Sequence, residues 1–387
     1  MSAVSMELVT RAESRSFTSD NTAGAAPEIM AAVAAAASGH APPYGTDSWT
    51  FSARRRFSEI FECDVDLLPV STGSAANALS LAALTPPWGS VLCHRDSHID
   101  NDECAAPEFF TAGAKLVALG GENAKIDAEE LHAAVHRKVG DVHSVQPSVL
   151  SLTQATETGA VYTPAEIGQL IRIAKHAGLR VHMDGARLAN AVAALGCRPA
   201  ELTWLAGVDM LSFGAIKNGG MTADAIVVFD RSLTAELGFR AKRAGQLAAK
   251  MRFAAAQLDA YLADDLWLRN ARHANAMTAR LEEGLRSIPG VRLAGTPEAN
   301  LLFCRLPEEV IDGLLDQGYD FYHGRWEPGV VRFVTSFATT TRDVDELVHA
   351  VRRLTAAAIE KSRCKSAQTR RSAVGRRSEV ACMRSVR

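Results

Sequence analysis

The sequence has no long apolar run, and its N-terminus lacks the charged segment followed by an apolar stretch that marks a secretory signal. A membrane-spanning helix needs roughly 18 or more apolar residues in a row, and no segment provides them. The seven cysteines are an odd number and include no Cys-x-x-Cys pair or other metal-ligand spacing. These absences predict reduced thiols, no metal site and a cytoplasmic protein without a membrane partner.

An excess of positive charge is also missing from most of the chain. The formal net charge is -2, but the last 27 residues contain nine Lys or Arg and one Glu, so the preceding body carries a charge near -10. We expect no nucleic-acid surface on such a body. The tail has few large apolar residues and cannot bury enough surface to order itself.

What the chain does contain is a composition typical of soluble globular proteins, with 47% hydrophobic and 22% charged residues among 387. Strand-like and helix-like segments alternate from about residue 67 to residue 229, which predicts an α/β fold with a mostly parallel, helix-covered sheet. A long helical stretch over residues 234–288, broken near residue 263, leads to a smaller α+β pattern with strands at 291–294, 301–305 and 330–335.

These patterns predict four regions along the chain. We expect a flexible leader over residues 1–16, a large domain over 17–260, a small C-terminal domain over 261–360 and a disordered basic tail over 361–387.

One lysine stands at a position suited to covalent chemistry. Lys217 follows the mostly apolar segment 208–213 and precedes Asn218-Gly219-Gly220, which permits a tight turn at the end of a strand. Burial there favours the neutral amine, the form that condenses with an aldehyde. The alternative interpretation is a solvated lysine in a turn without a chemical role. The apolar segment before Lys217 favours the reactive lysine instead.

Asp184 offers a second chemical group at a strand end. It follows Val181-His182-Met183 and precedes Gly185, although Asp-Gly after a strand is also a common turn. An anion held near a pyridine nitrogen keeps that nitrogen protonated, so the ring accepts electrons. A reactive lysine and such an aspartate are the usual protein contacts of pyridoxal 5'-phosphate (PLP), which we predict as the cofactor of the large domain.

Three further features fit that cofactor. Gly73 and Ser74 stand where a strand gives way to a helix, so their N–H groups would face a phosphate, with a plain helix N-cap as the alternative. Arg187 would pair with a phosphate, a ring oxygen or a substrate carboxylate. His98, in the loop after a strand, would stack on the ring or transfer a proton, whereas a lone loop histidine is usually a surface residue.

Seven segments, in one order and across about residues 17 to 357, resemble the low-specificity L-threonine aldolases. They are Thr18-Ser19-Asp20-Asn21, Tyr44-Gly45-Thr46-Asp47, Ser71 to Asn77, His98 with the following Asp102 to Phe110, Thr153 to Glu157, His182 to Arg187, and Ser212 to Lys217. The resemblance implies a fold type I, aspartate aminotransferase-like PLP enzyme that splits β-hydroxy-α-amino acids into glycine and an aldehyde. The similarity is greatest to the phenylserine-cleaving branch.

The resemblance also implies roles by motif position. Cofactor contacts would come from Lys217 as the Schiff-base lysine, Asp184 at the pyridine nitrogen, His98 at the ring face, and Gly73 and Ser74 at the phosphate. Substrate contacts would come from Ser19, Tyr44, Arg187 and Arg332. Arg252 matches an arginine that family members extend to the phosphate of a neighbouring subunit, which implies a homodimer or homotetramer with shared active sites.

One position departs from the family pattern. Many members carry a histidine after the strand ending at Leu152, where this sequence has Glu157. His98, Glu157 or a water that they hold would then remove the hydroxyl proton. We predict retro-aldol cleavage of L-threonine, L-allo-threonine and related substrates such as phenylserine. A β-eliminating lyase or aminotransferase on the same fold is the alternative, because a fold alone does not settle function.

Overall fold

The computed structural model describes residues 15–361 of the chain. The leader predicted for residues 1–16 lies outside this range except for its last two residues, and the predicted tail lies outside it after residue 361. Phe17, the next residue, is buried and belongs to the core of the C-terminal unit. Its N–H donates to the Asp320 carbonyl at 2.7 Å, and its own carbonyl accepts from the Val334 N–H at 2.8 Å.

A seven-stranded sheet forms the centre of the large unit. Its strands, in chain order, are β1 (Asp66–Val70), β2 (Gly89–His94), β3 (Lys115–Leu119), β4 (Gln146–Thr153), β5 (Arg180–Gly185), β6 (Met210–Phe213) and β7 (Asp224–Val228). Their spatial order is β1-β7-β6-β5-β4-β2-β3. Strands β3, β2, β4, β5 and β6 pair in parallel, while β7 runs antiparallel to both of its neighbours. The prediction of a mostly parallel sheet is confirmed.

Helices cover this sheet and lead into the C-terminal unit. They are α1 (Pro27–Ala36), α2 (Ser48–Phe61), α3 (Gly73–Leu84), α4 (His98–Asn101), α5 (Ala106–Phe110), α6 (Ala128–Val135), α7 (Pro164–His176), α8 (Leu188–Leu195), α9 (Pro199–Leu202), α10 (Thr234–Arg243), α11 (Arg252–Leu262), α12 (Leu266–Arg286), α13 (Glu308–Leu315) and α14 (341–361). Helix α7 begins with a proline and a capping box between Thr163 and Glu166, which satisfies its first amides.

The helical stretch over residues 234–288 is interrupted twice, where the sequence predicted one break. The predicted break contains Asp264 and Asp265, both with left-handed φ values of 49° and 55°. The second lies between α10 and α11, where Gly245 has a φ of 72° and its N–H bonds back to the Lys242 carbonyl. A glycine adopts this conformation at no steric cost, so it ends the helix there.

The C-terminal unit is a small antiparallel sheet covered by helices, as predicted. Its strands are β8 (Arg292–Leu293), β9 (Leu301–Arg305), β10 (Tyr322–His323) and β11 (Val330–Val334), in the order β10-β11-β9-β8. Helix α12 joins the two units, because Trp267 packs in the core of the large sheet and Leu281 in that of the small one. The domain boundaries themselves stay predictions. Within residues 15–361 no helix is long and apolar enough to cross a bilayer.

Candidate active site

The site forms where the carboxyl ends of β5 and β6 meet. Asp184 is near the end of β5, and Lys217 lies in the turn after β6. The two turns approach closely, since the Gly214 N–H donates to the Gly185 carbonyl at 3.2 Å. A Cβ on Gly214 would lie 2.7 Å from the Ala186 Cα, so only glycine fits. Neighbouring parallel strand ends thus bring the two predicted residues to one place.

Asp224 on β7 stabilises the turn that carries Lys217 through hydrogen bonds to its backbone. Its Oδ1 accepts hydrogen bonds from the Ala215 N–H at 2.7 Å and the Ile216 N–H at 3.0 Å. Burial raises the pKa of Asp224, against the effect of these two bonds and of the positive charge on Lys217. The sequence prediction assigned no role to Asp224, which fixes the backbone immediately before the lysine.

A chain of hydrogen bonds joins Asp184 to His98 through two residues. The Asn77 amide nitrogen donates to Asp184 Oδ2 at 2.9 Å and to Glu103 Oε1 at 2.8 Å. The same Glu103 oxygen lies 2.8 Å from His98 Nδ1. Asn77, Glu103 and Asp184 are buried, whereas the His98 side chain is 31% exposed. The ring of His98 is therefore anchored at one nitrogen, and its Nε2 is left for other partners.

This chain affects the protonation of His98. The hydrogen bond that His98 donates to Glu103, which outweighs burial, raises the pKa of His98 above its ordinary value, and Asp184 adds to the effect. Burial raises the pKa of Glu103, and this effect exceeds the opposing bonds from His98 and Asn77. A neighbouring carboxylate stabilises the imidazolium, so His98 keeps its proton to a higher pH than a solvated histidine would.

Gly73 and Ser74 form the first turn of α3, directly beside this chain. Thr72 is the N-cap, and its hydroxyl accepts from the Ala75 N–H at 3.1 Å. The amides of Gly73 and Ser74 have no acceptor within the helix. Since Asn77 on the next turn contacts Asp184, the N-terminus of α3 points into the site. The N-cap interpretation is correct for Thr72, and it leaves two amides for an anion.

Arg187 is paired with a carboxylate that the sequence prediction did not assign. Its Nε donates to Asp20 Oδ2 at 2.7 Å and its second terminal nitrogen to Asp20 Oδ1 at 2.9 Å. Asn300 donates to Asp20 Oδ2 at 3.0 Å as well. Burial opposes ionisation of Asp20, but the charges of Arg187 and Lys217, together with the hydrogen bonds from Arg187 and Asn300, outweigh it and lower its pKa. The hydroxyl of Ser19, a predicted substrate contact, accepts from the Asn21 N–H at 3.2 Å in the same segment.

Arg332 lies near Arg187 but has no carboxylate of its own. Within residues 15–361 its buried Nε has no hydrogen-bond partner, and one terminal nitrogen is 3.5 Å from the Thr18 carbonyl. Burial lowers the pKa of Arg332, and the charge of Arg187 lowers it further. Half-buried Glu157 is close enough to both arginines to raise the pKa of each. The negative charge of Glu157 therefore acts on both arginines, although residues 15–361 show no hydrogen bond or ion pair between Glu157 and either of them.

Two predicted residues, Arg252 and Tyr44, make their contacts away from this cluster. A terminal nitrogen of Arg252 donates to the Gly39 carbonyl at 3.2 Å, while its buried Nε has no partner among residues 15–361. Tyr44 is 47% exposed and has a φ of 59°, and the Lys242 ammonium lies 5.1 Å from its ring centroid. Both residues belong to the surface formed by the 39–45 loop and the start of α11.

Four buried polar residues complete the site without having been given a role from sequence: Asp20, Asn77, Glu103 and Asp224. Three of them stand inside the segments that carry the family resemblance, which was a signal that could have identified them. Asn77 also interrupts the Ala- and Leu-rich α3. Buried polar groups are almost always hydrogen-bonded. A polar residue in an apolar segment therefore indicates that another polar residue lies within hydrogen-bond distance of it.

Comparisons with known proteins show the family of this chain. The sequence profile of the family described as "Beta-eliminating lyase" matches residues 16–306. The low specificity L-threonine aldolase of Pseudomonas aeruginosa is 45% identical over 336 residues, which cover 87% of this chain and 96% of that protein. The enzyme of the same name from a Pseudomonas species is 42% identical over 340 residues, or 88% of this chain and 98% of that one.

A solved structure shares the fold as well. The threonine aldolase of Leishmania major superimposes with a TM-score of 0.82 at 29% identity and covers 88% of this chain and 99% of that chain. The predicted fold type I architecture, with a large mostly parallel sheet and a smaller C-terminal unit, is therefore confirmed. This chain belongs to the β-eliminating lyase family and, within it, to the low-specificity L-threonine aldolases.

Proposed function

We propose that this protein cleaves L-threonine, L-allo-threonine and related L-β-hydroxy-α-amino acids, phenylserine included, to glycine and an aldehyde with PLP as cofactor. The observation that carries the proposal is the convergence of Lys217, Asp184 and His98 beside two arginines. Its relatives named low specificity L-threonine aldolase support the same reaction. A cytoplasmic location stays an expectation from the sequence.

The charge of Asp184 tests whether the site fits PLP. Asp184 is buried, and its oxygens accept from two neutral donors, the Asn77 amide at 2.9 Å and the Ala186 N–H at 3.0 Å. No Lys, Arg or His nitrogen of residues 15–361 forms an ion pair with it. A buried carboxylate without a cation is unfavourable, so a protonated ring nitrogen is the partner that this site lacks. The unpaired carboxylate of Asp184 therefore fits the protonated ring nitrogen of the cofactor.

When bound, PLP supplies an electron-accepting pyridinium ring for the bond cleavage. The residues that would hold it are Lys217 through its Nζ, Asp184 at the ring nitrogen, His98 at the ring face, Arg187 beside the ring, Gly73 and Ser74 at the phosphate, and Arg252 from a neighbouring subunit.

We infer that Arg332, more than Arg187, provides the donors that bind the substrate carboxylate. Two donors of Arg187 are engaged by Asp20, whereas Arg332 has a buried Nε without a partner. We infer that Arg332 binds the substrate α-carboxylate and that Arg187, with Ser19 and the more distant Tyr44, shapes the pocket around it. A fixed carboxylate restricts the orientation in which the scissile bond is presented, which is a positioning effect.

Removal of the β-hydroxyl proton has two candidate bases. His98 Nδ1 is held by Glu103, so Nε2 is the atom that would accept the proton. The negative charge of Glu157 acts on Arg187 and Arg332, so we place Glu157 at the carboxylate end of the proposed pocket. A water held by either residue would serve the same purpose. The pH profile of kcat/KM separates the two candidates, because its acid limb reports the pKa of the base. The acid limb should disappear in His98→Asn if His98 is the base, and in Glu157→Gln if Glu157 is the base.

Stereochemistry provides the experiment that tests the proposed substrate class. The proposed contacts hold the α-carbon at its nitrogen and its carboxylate, so we expect strong discrimination between L and D isomers. A methyl-sized difference at Cβ is worth only about 1 to 3 kcal/mol, so both L-threonine and L-allo-threonine should be cleaved. Aldehyde release from the four threonine isomers and from phenylserine tests this. Comparable turnover of a D isomer, or a preference above about a thousandfold between the two L isomers, would contradict it.

A β-eliminating lyase is the second candidate, because the family profile carries that description. Elimination or transamination would yield a 2-oxo acid instead of glycine and an aldehyde. Ammonia and 2-oxobutyrate from L-threonine, without acetaldehyde, would favour elimination.

The proposed protein partner is a second copy of this chain. Arg252 has a buried Nε without a partner within the described residues, and Phe51 and Phe239 are 58% and 77% exposed. Contiguous exposed apolar patches mark interaction sites, and we infer that these two side chains belong to one. We propose a homodimer or homotetramer in which Arg252 reaches the neighbouring phosphate site. Arg252→Ala should then weaken PLP binding, and an active monomer in light scattering would contradict the proposal.

A further inference from the structure

Arg332 carries its charge in a half-buried position without a carboxylate in direct contact, although the more distant charges of Glu157 and Asp20 favour its charged form. Within residues 15–361 none of its nitrogens lies within 4 Å of an Asp or Glu oxygen, and its Nε has no hydrogen-bond partner. Arg187, the other arginine of the site, has a bidentate bond to Asp20. The two arginines of the site are thus stabilised by different means.

Aromatic rings surround the Arg332 guanidinium instead. Its central carbon lies 4.5 Å from the ring centroid of Tyr322 and 5.9 Å from that of Trp326. Trp326 in turn packs edge-on against Phe303, with ring centroids 5.0 Å apart at 78°. We call Tyr322 and Trp326 the aromatic cage. Trp326 is 40% exposed, so it is not part of the core of the small sheet.

The register of the small sheet explains this cluster. Tyr322 on β10 and Phe303 on β9 are the direct partners of Arg332 on β11. Side chains that face each other across antiparallel strands point to the same face and lie in contact. Val331 and Phe333, the neighbours of Arg332 along β11, are buried in the core on the other face. The strand pairing therefore directs Arg332 and its cage away from the small core.

A ring face and a carboxylate stabilise a guanidinium in different ways. A carboxylate accepts the N–H groups and so competes with an anionic ligand for them. An aromatic face attracts the cation through its quadrupole and accepts no conventional N–H bond. An arginine held by rings keeps its N–H donors available while its position and charge are maintained.

We propose that Tyr322 and Trp326 are positioning residues for substrate recognition, which hold the Arg332 guanidinium in place of a carboxylate and leave its N–H groups to the substrate α-carboxylate. This inference rests on the proposed function, in which Arg332 binds that carboxylate. It assigns a role in amino-acid affinity to β10, which carries Tyr322, and to the segment between β10 and β11, which carries Trp326.

Two pairs of variants of the holoenzyme test the cage. Tyr322→Leu and Trp326→Leu remove a ring, while Tyr322→Phe and Trp326→Phe keep one. A cation–π contact is worth about 0.5 to 2 kcal/mol, so each Leu variant should raise KM for L-threonine by roughly two- to thirtyfold. We expect kcat to change by less than about twofold, because only binding of the carboxylate is affected. The Phe variants should recover most of the affinity.

Inhibition by butyrate gives a readout that does not depend on turnover of the inhibitor. Butyrate carries a carboxylate without an amine, so its inhibition constant should rise in parallel with KM in the Leu variants. Butyramide, which has no charge, should bind the parent and the variants equally. Arg325→Gln is the matched control, because Arg325 lies over the same Tyr322 ring at 3.8 Å but is exposed. It should leave the butyrate constant unchanged.

Arg332→Gln separates the cage from the role of Arg332 itself. If Arg332→Gln weakens butyrate binding and both Leu variants leave it within twofold of the parent, the cage has no positioning role and the inference is wrong. If Arg332→Gln also has no effect, the proposed function of Arg332 fails first. A fall in kcat at unchanged KM in the Leu variants would mean a structural role, and it would equally overturn the inference.

Discussion

The buried pair of Asp20 and Arg187 makes a quantitative prediction about stability. Both side chains are at least 95% buried and share two hydrogen bonds, at 2.7 and 2.9 Å. Asp20→Asn would remove one charge and turn an amide N–H toward a donor of Arg187 or Asn300. Removing one partner of a buried ion pair costs about 3 to 5 kcal/mol, because the other charge stays buried without compensation. We expect the free energy of unfolding to fall by about 3 kcal/mol.

An exposed pair with the same geometry provides the control. Arg280 and Asp345 share bonds of 2.7 and 2.8 Å, but their side chains are 48% and 46% exposed. Asp345→Asn should cost about 1 kcal/mol or less, since solvent screens such pairs. Urea unfolding of both variants at pH 7, with equal excess PLP, measures the difference. Equal losses for Asp20→Asn and Asp345→Asn would refute the reasoning, because burial would then have made no difference.

The same pair predicts a pH dependence with a definite sign. Arg187 and Lys217, against the effect of burial, hold the pKa of Asp20 below its ordinary value of 3.8. A carboxylate with a lowered pKa contributes stability that is present above its unfolded pKa and is lost as the pH falls through its folded pKa. The stability difference between the parent and Asp20→Asn should therefore be constant above about pH 5 and shrink below pH 3.8.

Three further variants test the site itself. Lys217→Ala should lose covalent attachment of PLP, so that after borohydride reduction mass spectrometry finds no cofactor on the peptide around position 217, and turnover should fall by several orders of magnitude; cofactor found on another lysine would disprove the assignment. Asp184→Asn should lower kcat far more than it raises KM, because the electron-accepting ring loses its anion, and unchanged kcat in steady-state assays would count against it. Glu103→Gln should lower the pKa of His98, because the hydrogen bond between His98 and Glu103 is the main cause of its elevation. An NMR titration of the His98 ring that shows no downward shift would contradict this role of Glu103.

The strands and helices that sequence could predict are those with a strong local signal. Leu301–Arg305 is a mostly apolar run, and this strand was predicted with the observed bounds. The two-residue β10 has no such signal, because it exists only through pairing with β11, ten residues along the chain. The second break of the helical stretch depended on one glycine in a left-handed conformation.

Some residues of the site could also be predicted from local sequence, and others could not. The positions of Lys217 and Asp184 at one edge of the sheet could be predicted, because Lys217 follows an apolar strand and Asp184 lies near the end of another. The partners of the site residues could not, since Asp20 is 167 positions from Arg187 and Asn77 is 107 positions from Asp184. Such pairs satisfy buried charges that only the folded chain brings together. The same holds for Tyr322, which meets Arg332 through strand register.

A product balance from L-threonine tests the central claim most directly. Purified enzyme with PLP would be incubated with L-threonine and the reaction followed by proton NMR, with Lys217→Ala in parallel. The account predicts glycine and acetaldehyde in equal amounts, no 2-oxobutyrate, and no products from the variant on the same time scale. Formation of 2-oxobutyrate without glycine, or full activity of Lys217→Ala, would contradict it.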